Sequence, residues 1–304
     1  MLSAAACAVA ELVAVAREAK LLKRFILGDM GVSPSLYSRL KFSGGVRVNG
    51  QLARGNRLLQ PGDTVTLSLH ERPAYQPRPC QQKVPVLYED EHLFIVNKPA
   101  PMACHSSLTK SHNALENCLY ARLGCPQDFV FRPVNRLDAG TSGLMVVART
   151  AHSHHQLQGL LHSPAFTREY WALTQGLPHP AAGIVDLPIG QGEGVRRLVD
   201  PLGKPSRTHY KTLAQGQGIA LVHFQLDTGR THQIRVHMAH LGHPLVGDWL
   251  YGQGDARLPG RFALHCFRLT LCHPATGETL RFAAPPPPEL SALVPGLLPG
   301  QILL

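Results

Sequence analysis

Short apolar runs, each bounded by turn residues, recur along the chain from Val86 onward, and this spacing constrains the fold more than any other feature. The clearest runs are VLYEDEHLFIVNKPA, LMVVA, EYWALTQG, IALVHFQL and FALHCFRLTL. Runs of this length, with few long helical periods between them, are typical of strands. We therefore predict an α+β fold over residues 86–304, with helices packed on a mixed, largely antiparallel sheet.

The sequence lacks the patterns of a nucleotide-binding α/β protein. No G-x-G-x-x-G opens a helix after a strand, and no G-x-x-x-x-G-K-[ST] is present. Those glycine-rich loops are what brings backbone N–H groups close to phosphates in such folds. The residue patterns therefore give no reason to expect a nucleotide cofactor.

The chain is strongly basic. It has 30 Lys and Arg residues against 20 Asp and Glu, a formal net charge of +10 and a pI near 9.5. A protein with this charge often binds a polyanion, and nucleic acid is the first candidate. A solvated basic surface that aids solubility explains the same charge, so charge alone leaves both interpretations open.

Cysteine usage and the N-terminus bear on the compartment. Seven cysteines, without any C-x-x-C pair, argue against a disulfide framework and a zinc ribbon. Residues 1–19 are Ala-rich, lack a basic leader and include Glu11, which argues against a secretory signal. No uncharged apolar run approaches the roughly 18 residues that a membrane span needs. We expect a cytoplasmic protein without membrane contact, with residues 1–19 as an extension of uncertain order.

Residues 20–72 carry clear local signals of a small separate unit. Ser33-Pro34 is typical of a helix start, Asn49-Gly50 of a hairpin turn, and residues 61–63 (Pro-Gly-Asp) of a turn before a strand. Nine basic side chains stand against three acidic ones in this segment. Residues 73–85, with four prolines, are expected to form a linker to the larger domain.

The order of these signals resembles the small RNA-binding module first known from ribosomal small-subunit protein S-four. The resemblance implies that residues 20–72 bind RNA; a generic small basic α+β unit is the alternative. Point charges that contact backbone phosphates give affinity without sequence preference. We expect Arg39, Lys41 and Arg47 to make such contacts.

The turn in VNRLDAGTSG holds a single carboxylate, Asp138, between two strand-like segments. Glycoside hydrolysis by the usual route needs two carboxylates, metal-dependent nucleases need clustered acids, and serine hydrolases need G-x-S-x-G. None of these patterns is present around the turn. A lone carboxylate can act as a nucleophile on a sugar carbon or an electrophilic ring. It can also cap its own turn through backbone N–H groups, and this motif alone favours the capping role.

Other segments of the sequence favour the nucleophile role of Asp138 over the capping role. They are YEDEHLFIVNKPAPM, TREYWALTQG, DTGRTHQIRVHMAHLGHPLVGDWLYG and FALHCFRLTLCHPATGE. Together with VNRLDAGTSGLMVVAR, and from about Val86 to Leu290, they closely resemble the RluA-like family of RNA pseudouridine synthases. The resemblance implies the pseudouridine synthase fold and isomerisation of specific uridines to pseudouridine in structured RNA, either ribosomal or transfer RNA. It implies no cofactor and no metal, and a basic N-terminal module commonly accompanies this catalytic domain.

The resemblance also assigns roles to particular residues. It implies that Asp138 is the catalytic nucleophile and that Arg235 is its basic partner. Tyr170 matches the tyrosine that packs on the target base, which suits a flipped nucleotide. Arg136 matches the arginine that fills the space left by the extruded uridine or holds nearby phosphates.

Two positions depart from the family pattern. Asn135 stands where the family usually has histidine, and Arg168 stands where lysine is frequent. Asn135 keeps a second hypothesis open, a non-catalytic RNA-binding or RNA-folding factor on the same fold. Asp248 is expected to anchor its own loop, and the histidines of residues 152–162 are expected to bind no metal. We expect a monomer without an obligate protein partner.

Overall fold

The computed structural model describes residues 11–69, 75–106 and 112–293. The N-terminal unit is a small α+β structure. Its elements are β1 (Glu11–Val15), β2 (Lys20–Leu21), α1 (Leu22–Arg24), a π-helical turn (Phe25–Asp29), α2 (Pro34–Ser43), β3 (Val46–Val48), β4 (Gln51–Leu52), β5 (Leu58–Leu59) and β6 (Thr64–Ser68). One sheet has the order β1-β6-β3-β4, and β2 pairs with β5.

Local capping signals explain the start and the end of helix α2. The Ser33 hydroxyl accepts a hydrogen bond from the Leu36 N–H at 3.2 Å, and Pro34 follows in the first turn. Gly44, with φ +73°, ends α2 in the left-handed conformation that favours glycine. Strand β1 differs from the expectation, because it lies within residues 1–19 and pairs antiparallel with β6. Its register brings alternate side chains, including Leu12, onto the unit's apolar core.

The second unit contains the remaining elements. These are β7 (Val86–Glu89), β8 (Leu93–Lys98), α3 (Leu115–Arg122), β9 (Arg132–Pro133), β10 (Ser142–Ala148), α4 (Ala151–Leu160), β11 (Phe166–Gln175), β12 (Ala182–Asp186), β13 (Ile189–Gln191), β14 (Arg197–Val199), β15 (Arg207–Gly216), β16 (Ile219–Leu226), α5 (Gln233–His240), β17 (Leu264–Cys272), β18 (Thr279–Ala283) and α6 (Pro288–Ser291).

A ten-stranded sheet organises this unit. Its main order is β12-β15-β16-β11-β17-β10-β8-β7, with β18 beside β17 and β9 beside β10. The β10–β17 pair is parallel, whereas the other pairs described in the sheet are antiparallel. The predicted mixed, largely antiparallel sheet is therefore confirmed. Strands β8 and β10 are buried almost throughout, so the sheet forms the core on which the helices pack.

The described part of the proline-rich segment, residues 75–85, has no regular structure and packs against α3. The Asn117 side chain donates to the Arg78 carbonyl at 2.7 Å, and the Tyr120 hydroxyl donates to the Gln76 side chain at 2.6 Å. A separate contact joins the two units, since the Gln156 amide donates to the Gly31 carbonyl at 2.9 Å. Within the described ranges, no helix combines the length and the apolarity needed to cross a bilayer.

Candidate active site

Asp138 lies in the loop between β9 and β10, and the backbone fixes that loop on both sides. The Thr141 N–H donates to the Asp138 carbonyl at 3.0 Å and closes the turn. Gly143, with φ +116°, lies so close to β17 that a Cβ atom would sit 2.2 Å from the Cys266 carbonyl oxygen. Only glycine fits that approach. Gly143 therefore allows the start of β10, directly after the Asp138 loop, to lie against β17.

Arg235 reaches the same point from α5. The helix begins after His232, which has φ +60°, and it buries Ile234 and Met238 in the core. The Arg235 Nη1 donates to Asp138 Oδ2 at 3.2 Å. The two residues are 97 positions apart in the sequence, so only the folded chain brings them together.

A second carboxylate holds the same guanidinium. Arg235 Nε donates to Asp248 Oδ2 at 2.7 Å, and Nη2 donates to Asp248 Oδ1 at 2.9 Å. The side chains of Arg235 and Asp248 are 4% and 0% exposed, whereas that of Asp138 is 25% exposed. Asp248 is thus the buried anchor of Arg235, and Asp138 is the carboxylate that remains accessible.

The electrostatics keep this arginine charged. Burial lowers the pKa of Arg235, but the hydrogen bonds and charges of Asp248 and Asp138 together outweigh burial, so the pKa is raised above its usual value. The rings of Phe262 and Tyr251 lie 4.1 and 4.9 Å from the guanidinium carbon. The result is a fixed positive charge 3.2 Å from the Asp138 carboxylate.

Tyr170 projects from β11 into the same cleft. Burial is the main cause that raises the pKa of Tyr170, and contact with the Cys266 thiol adds to it. The phenol therefore stays protonated at neutral pH and presents a neutral aromatic ring. A neutral ring of this kind can stack on a base.

The cleft has a volume of about 510 Å³, enough to enclose a nucleoside-sized group. It brings together four of the residues predicted from the sequence, Asp138, Tyr170, Arg235 and Arg136. The other predicted RNA contacts do not line it. They are Arg39, Lys41 and Arg47, all exposed on the N-terminal unit.

Three contacts of the site were not predicted from the sequence, and they involve Asp248, His232 and Lys98. Asp248 was expected to anchor its own loop, and it does so by accepting a hydrogen bond from the Leu250 N–H at 3.2 Å. Its hydrogen bonds with Arg235 were not predicted. His232 places Nε2 4.0 Å from Asp138 Oδ2, and the pKa of His232 is lowered mainly by burial. Lys98 is buried and donates to the Met102 carbonyl at 2.8 Å; burial lowers its pKa to about 8. Their burial beside a polar turn could not be deduced from local patterns.

Asn135 has a defined role in the loop. Its side-chain oxygen accepts a hydrogen bond from the Val146 N–H at 2.8 Å, so it fastens the loop to β10. Asn135 lines the cleft, but its carbonyl is committed to the backbone. This bond accounts for an amide at the position and assigns it a structural task.

Helix α4, which carries most of the histidine-rich segment, forms one wall of the cleft through Gln158, and His162 lines the cleft just beyond the end of the helix. The Gln158 amide donates to the Val134 carbonyl at 2.7 Å and so braces the Asp138 loop. Among the described residues, no group of three or more His, Cys, Asp or Glu side chains is arranged to hold a metal ion. The contacts of this helix therefore make it a supporting wall of the cleft.

Comparison with known proteins gives a consistent result. Residues 92–240 match the protein family described as RNA pseudouridylate synthase. The chain is 36% identical over 277 residues to Bacillus subtilis "Uncharacterized RNA pseudouridine synthase YjbO", a match that covers 88% of this chain and 96% of that one. It is 37% identical to "Ribosomal large subunit pseudouridine synthase D" of Vibrio parahaemolyticus, with 86% of each chain covered.

Solved structures agree with the sequence relatives. Human "RNA Pseudouridylate Synthase Domain Containing 1" superposes with a TM-score of 0.57 and 27% identity, over 69% of this chain and 87% of the human chain. The family match includes Asp138, Tyr170 and Arg235, the residues that meet in the cleft. The chain therefore belongs to the RluA-like family of RNA pseudouridine synthases.

Proposed function

We propose that this enzyme isomerises uridine to pseudouridine in structured RNA, with Asp138 as the nucleophile. The observation that carries the proposal is the 3.2 Å contact between Asp138 and Arg235 in a nucleoside-sized cleft. Of the two carboxylates that contact Arg235, Asp138 is the partly exposed one, so it can reach a substrate. The buried Asp248 holds the arginine in place. This geometry supports the nucleophile role over the turn-capping role.

The proposed reaction breaks the bond between uracil N1 and the ribose C1′ and forms a bond between C5 and C1′. N1 gains a proton and C5 loses one, so atoms balance without an external reactant. Asp138 provides the nucleophilic oxygen, and Arg235 stabilises its negative charge. Tyr170 packs on the extruded base, and Arg136, exposed at the rim of the cleft, fills the gap or holds neighbouring phosphates.

Ribosomal RNA is the substrate class that the relatives favour. The Vibrio parahaemolyticus relative is named for the large ribosomal subunit, and it aligns over most of both chains. The N-terminal unit adds affinity in this proposal, because Arg39, Lys41 and Arg47 are exposed on one small basic structure. Transfer RNA is the alternative substrate.

The test is modification of RNA by purified protein. Ribosomal and transfer RNA from cells that lack the enzyme are incubated with wild type, Asp138→Asn or Asp255→Asn, and pseudouridine is mapped. Asp255 is a matched control because it pairs with Arg257 away from the cleft. We expect wild type and Asp255→Asn to modify the same uridines and Asp138→Asn to modify none.

Each outcome has a distinct meaning. Pseudouridine in transfer RNA alone would correct the substrate class. Undiminished activity of Asp138→Asn would remove Asp138 as the nucleophile. No pseudouridine from wild type in either RNA, together with tight RNA binding, would favour the non-catalytic binding factor.

A further inference from the structure

Arg168 is a buried cation without a counter-ion among the residues that the structure describes. It lies on β11 between Phe166 and Tyr170, and alternation along the strand places all three on one face. Arg168 is only 5% exposed and lines the cleft. Over the described ranges, no carboxylate lies within ion-pair distance of its guanidinium, and the buried Nε has no hydrogen-bond partner.

The neighbouring arginines are different. Two carboxylates contact Arg235. Arg268 of β17 forms an ion pair at 3.4 Å with Glu169, whose side chain lies on the face of β11 opposite to Arg168. The ring of Phe166 lies 5.8 Å from the Arg168 guanidinium carbon, which offsets little of a buried charge. Burying a guanidinium without an anion is unfavourable, so an arginine kept in this state indicates an anion supplied by a ligand.

We propose that Arg168 forms a phosphate subsite of the cleft, which binds a backbone phosphodiester of the RNA beside the nucleotide that stacks on Tyr170. This inference rests on the proposed function and names how the substrate is held. Side chains two residues apart on a strand are separated by roughly 6.6 Å, so one nucleotide can contact both. The planar guanidinium donates paired hydrogen bonds to phosphate oxygens, which a point charge cannot do.

The surroundings leave room for the phosphate. Gly229 also lines the cleft, and a Cβ atom there would sit 3.4 Å from Arg168 Nη1. Because glycine has no side chain, no methyl group covers the guanidinium from that side. Arg230, the next residue, also lines the cleft and adds positive potential.

The test compares RNA affinity with protein stability. The probe is a fluorescently labelled single-stranded oligouridylate, because every nucleotide that enters the cleft is then a uridine. Fluorescence anisotropy at several KCl concentrations gives the affinity and its salt slope for wild type, Arg168→Met and the control Arg268→Met. Thermal unfolding of each free protein is measured alongside.

For Arg168→Met we expect an affinity loss of roughly tenfold or more and a salt slope smaller by about 0.7, the value for one phosphate on a single strand. The free variant should unfold at the same or a higher temperature, because an uncompensated buried charge has been removed. Arg268→Met should keep the wild-type affinity and slope. Gly229→Ala keeps the charge but places a methyl group beside Nη1, so it should bind more weakly than wild type at an unchanged unfolding temperature.

Two results would overturn the subsite. One is wild-type affinity and slope for Arg168→Met. The other is a marked fall in its unfolding temperature, which would make Arg168 a structural residue. Binding is read without product formation, so a protein that binds through Arg168 but forms no pseudouridine would refute the proposed function and leave the phosphate subsite standing.

Discussion

Replacing Asp248 with asparagine tests whether that residue is the structural anchor of the site. The Asp248 carboxylate is 0% exposed and receives two hydrogen bonds from Arg235, at 2.7 and 2.9 Å. Asparagine keeps the shape, and its oxygen can still accept from Nη2. The new NH₂ group, however, would face the Nε donor, so two donors would oppose each other at a buried position.

The expected magnitude follows from burial. Removing one partner of a buried ion pair typically destabilises a protein by about 3–5 kcal/mol, because the other charge is left uncompensated. For Asp138→Asn we expect a loss of only about 1 kcal/mol. The Asp138 side chain is a quarter exposed, makes one 3.2 Å bond to Arg235, and leaves Arg235 neutralised by Asp248.

Urea titration followed by circular dichroism measures the free energy of unfolding of both variants. Asp255→Asn, which breaks an ion pair with an exposed arginine, is the control and should change stability little. We expect Asp248→Asn to be the least stable of the three, and Asp138→Asn to lose activity at near wild-type stability. Equal stability losses for Asp248→Asn and Asp138→Asn would refute the assignment of anchor and reactive carboxylate.

Three other perturbations probe the pH dependence, the hydrogen bonds of the Tyr251 hydroxyl and the basic surface. Burial lowers the pKa of His265 to about 4 from 6.5, so the unfolded chain binds a proton that the folded one does not. As the pH falls from 6.5 to 4, the free energy of unfolding of wild type should decrease by up to about 1.4 kcal/mol per pH unit because of this group. A His265→Asn variant with the same pH dependence in urea titrations would contradict this prediction. Tyr251→Phe removes the hydroxyl that meets His232 Nδ1 and accepts from the Arg197 N–H, each at 2.8 Å. Unfolding titrations should therefore show a decrease of about 1–2 kcal/mol, and an unchanged free energy of unfolding would argue against both bonds. The double variant Lys41→Gln/Arg47→Gln should bind unrelated RNAs equally more weakly than wild type. The slope of log affinity against log salt concentration should fall by about 0.7–0.9 for each phosphate that is no longer neutralised. An unchanged slope in anisotropy titrations would exclude phosphate binding by these two side chains.

Local patterns predicted the elements well wherever short-range physics decides them. The Ser33-Pro34 start and Gly44 end of α2 follow from capping chemistry, and the Asn49-Gly50 turn does join β3 to β4. In α5, Ile234 and Met238 are four residues apart on one helix face, and both are buried in the core. Strand β1 was missed, because its pairing partner β6 lies about fifty residues further along the chain.

The sequence by itself, through its resemblance to the RluA-like family, identified which residues could carry the chemistry: Asp138 in a glycine-rich turn, Tyr170 in a strand-like run and Arg235. Their local conformations depend on neighbours within a few residues, so the order of amino acids is enough to predict them. Only the tertiary structure decided which charged side chains form ion pairs. Whether Asp248 binds Arg235, and whether any described carboxylate reaches Arg168, depends on segments that meet only when the sheet and α5 pack. Electrostatic interactions act through space and depend on burial, and neither property is local in the sequence.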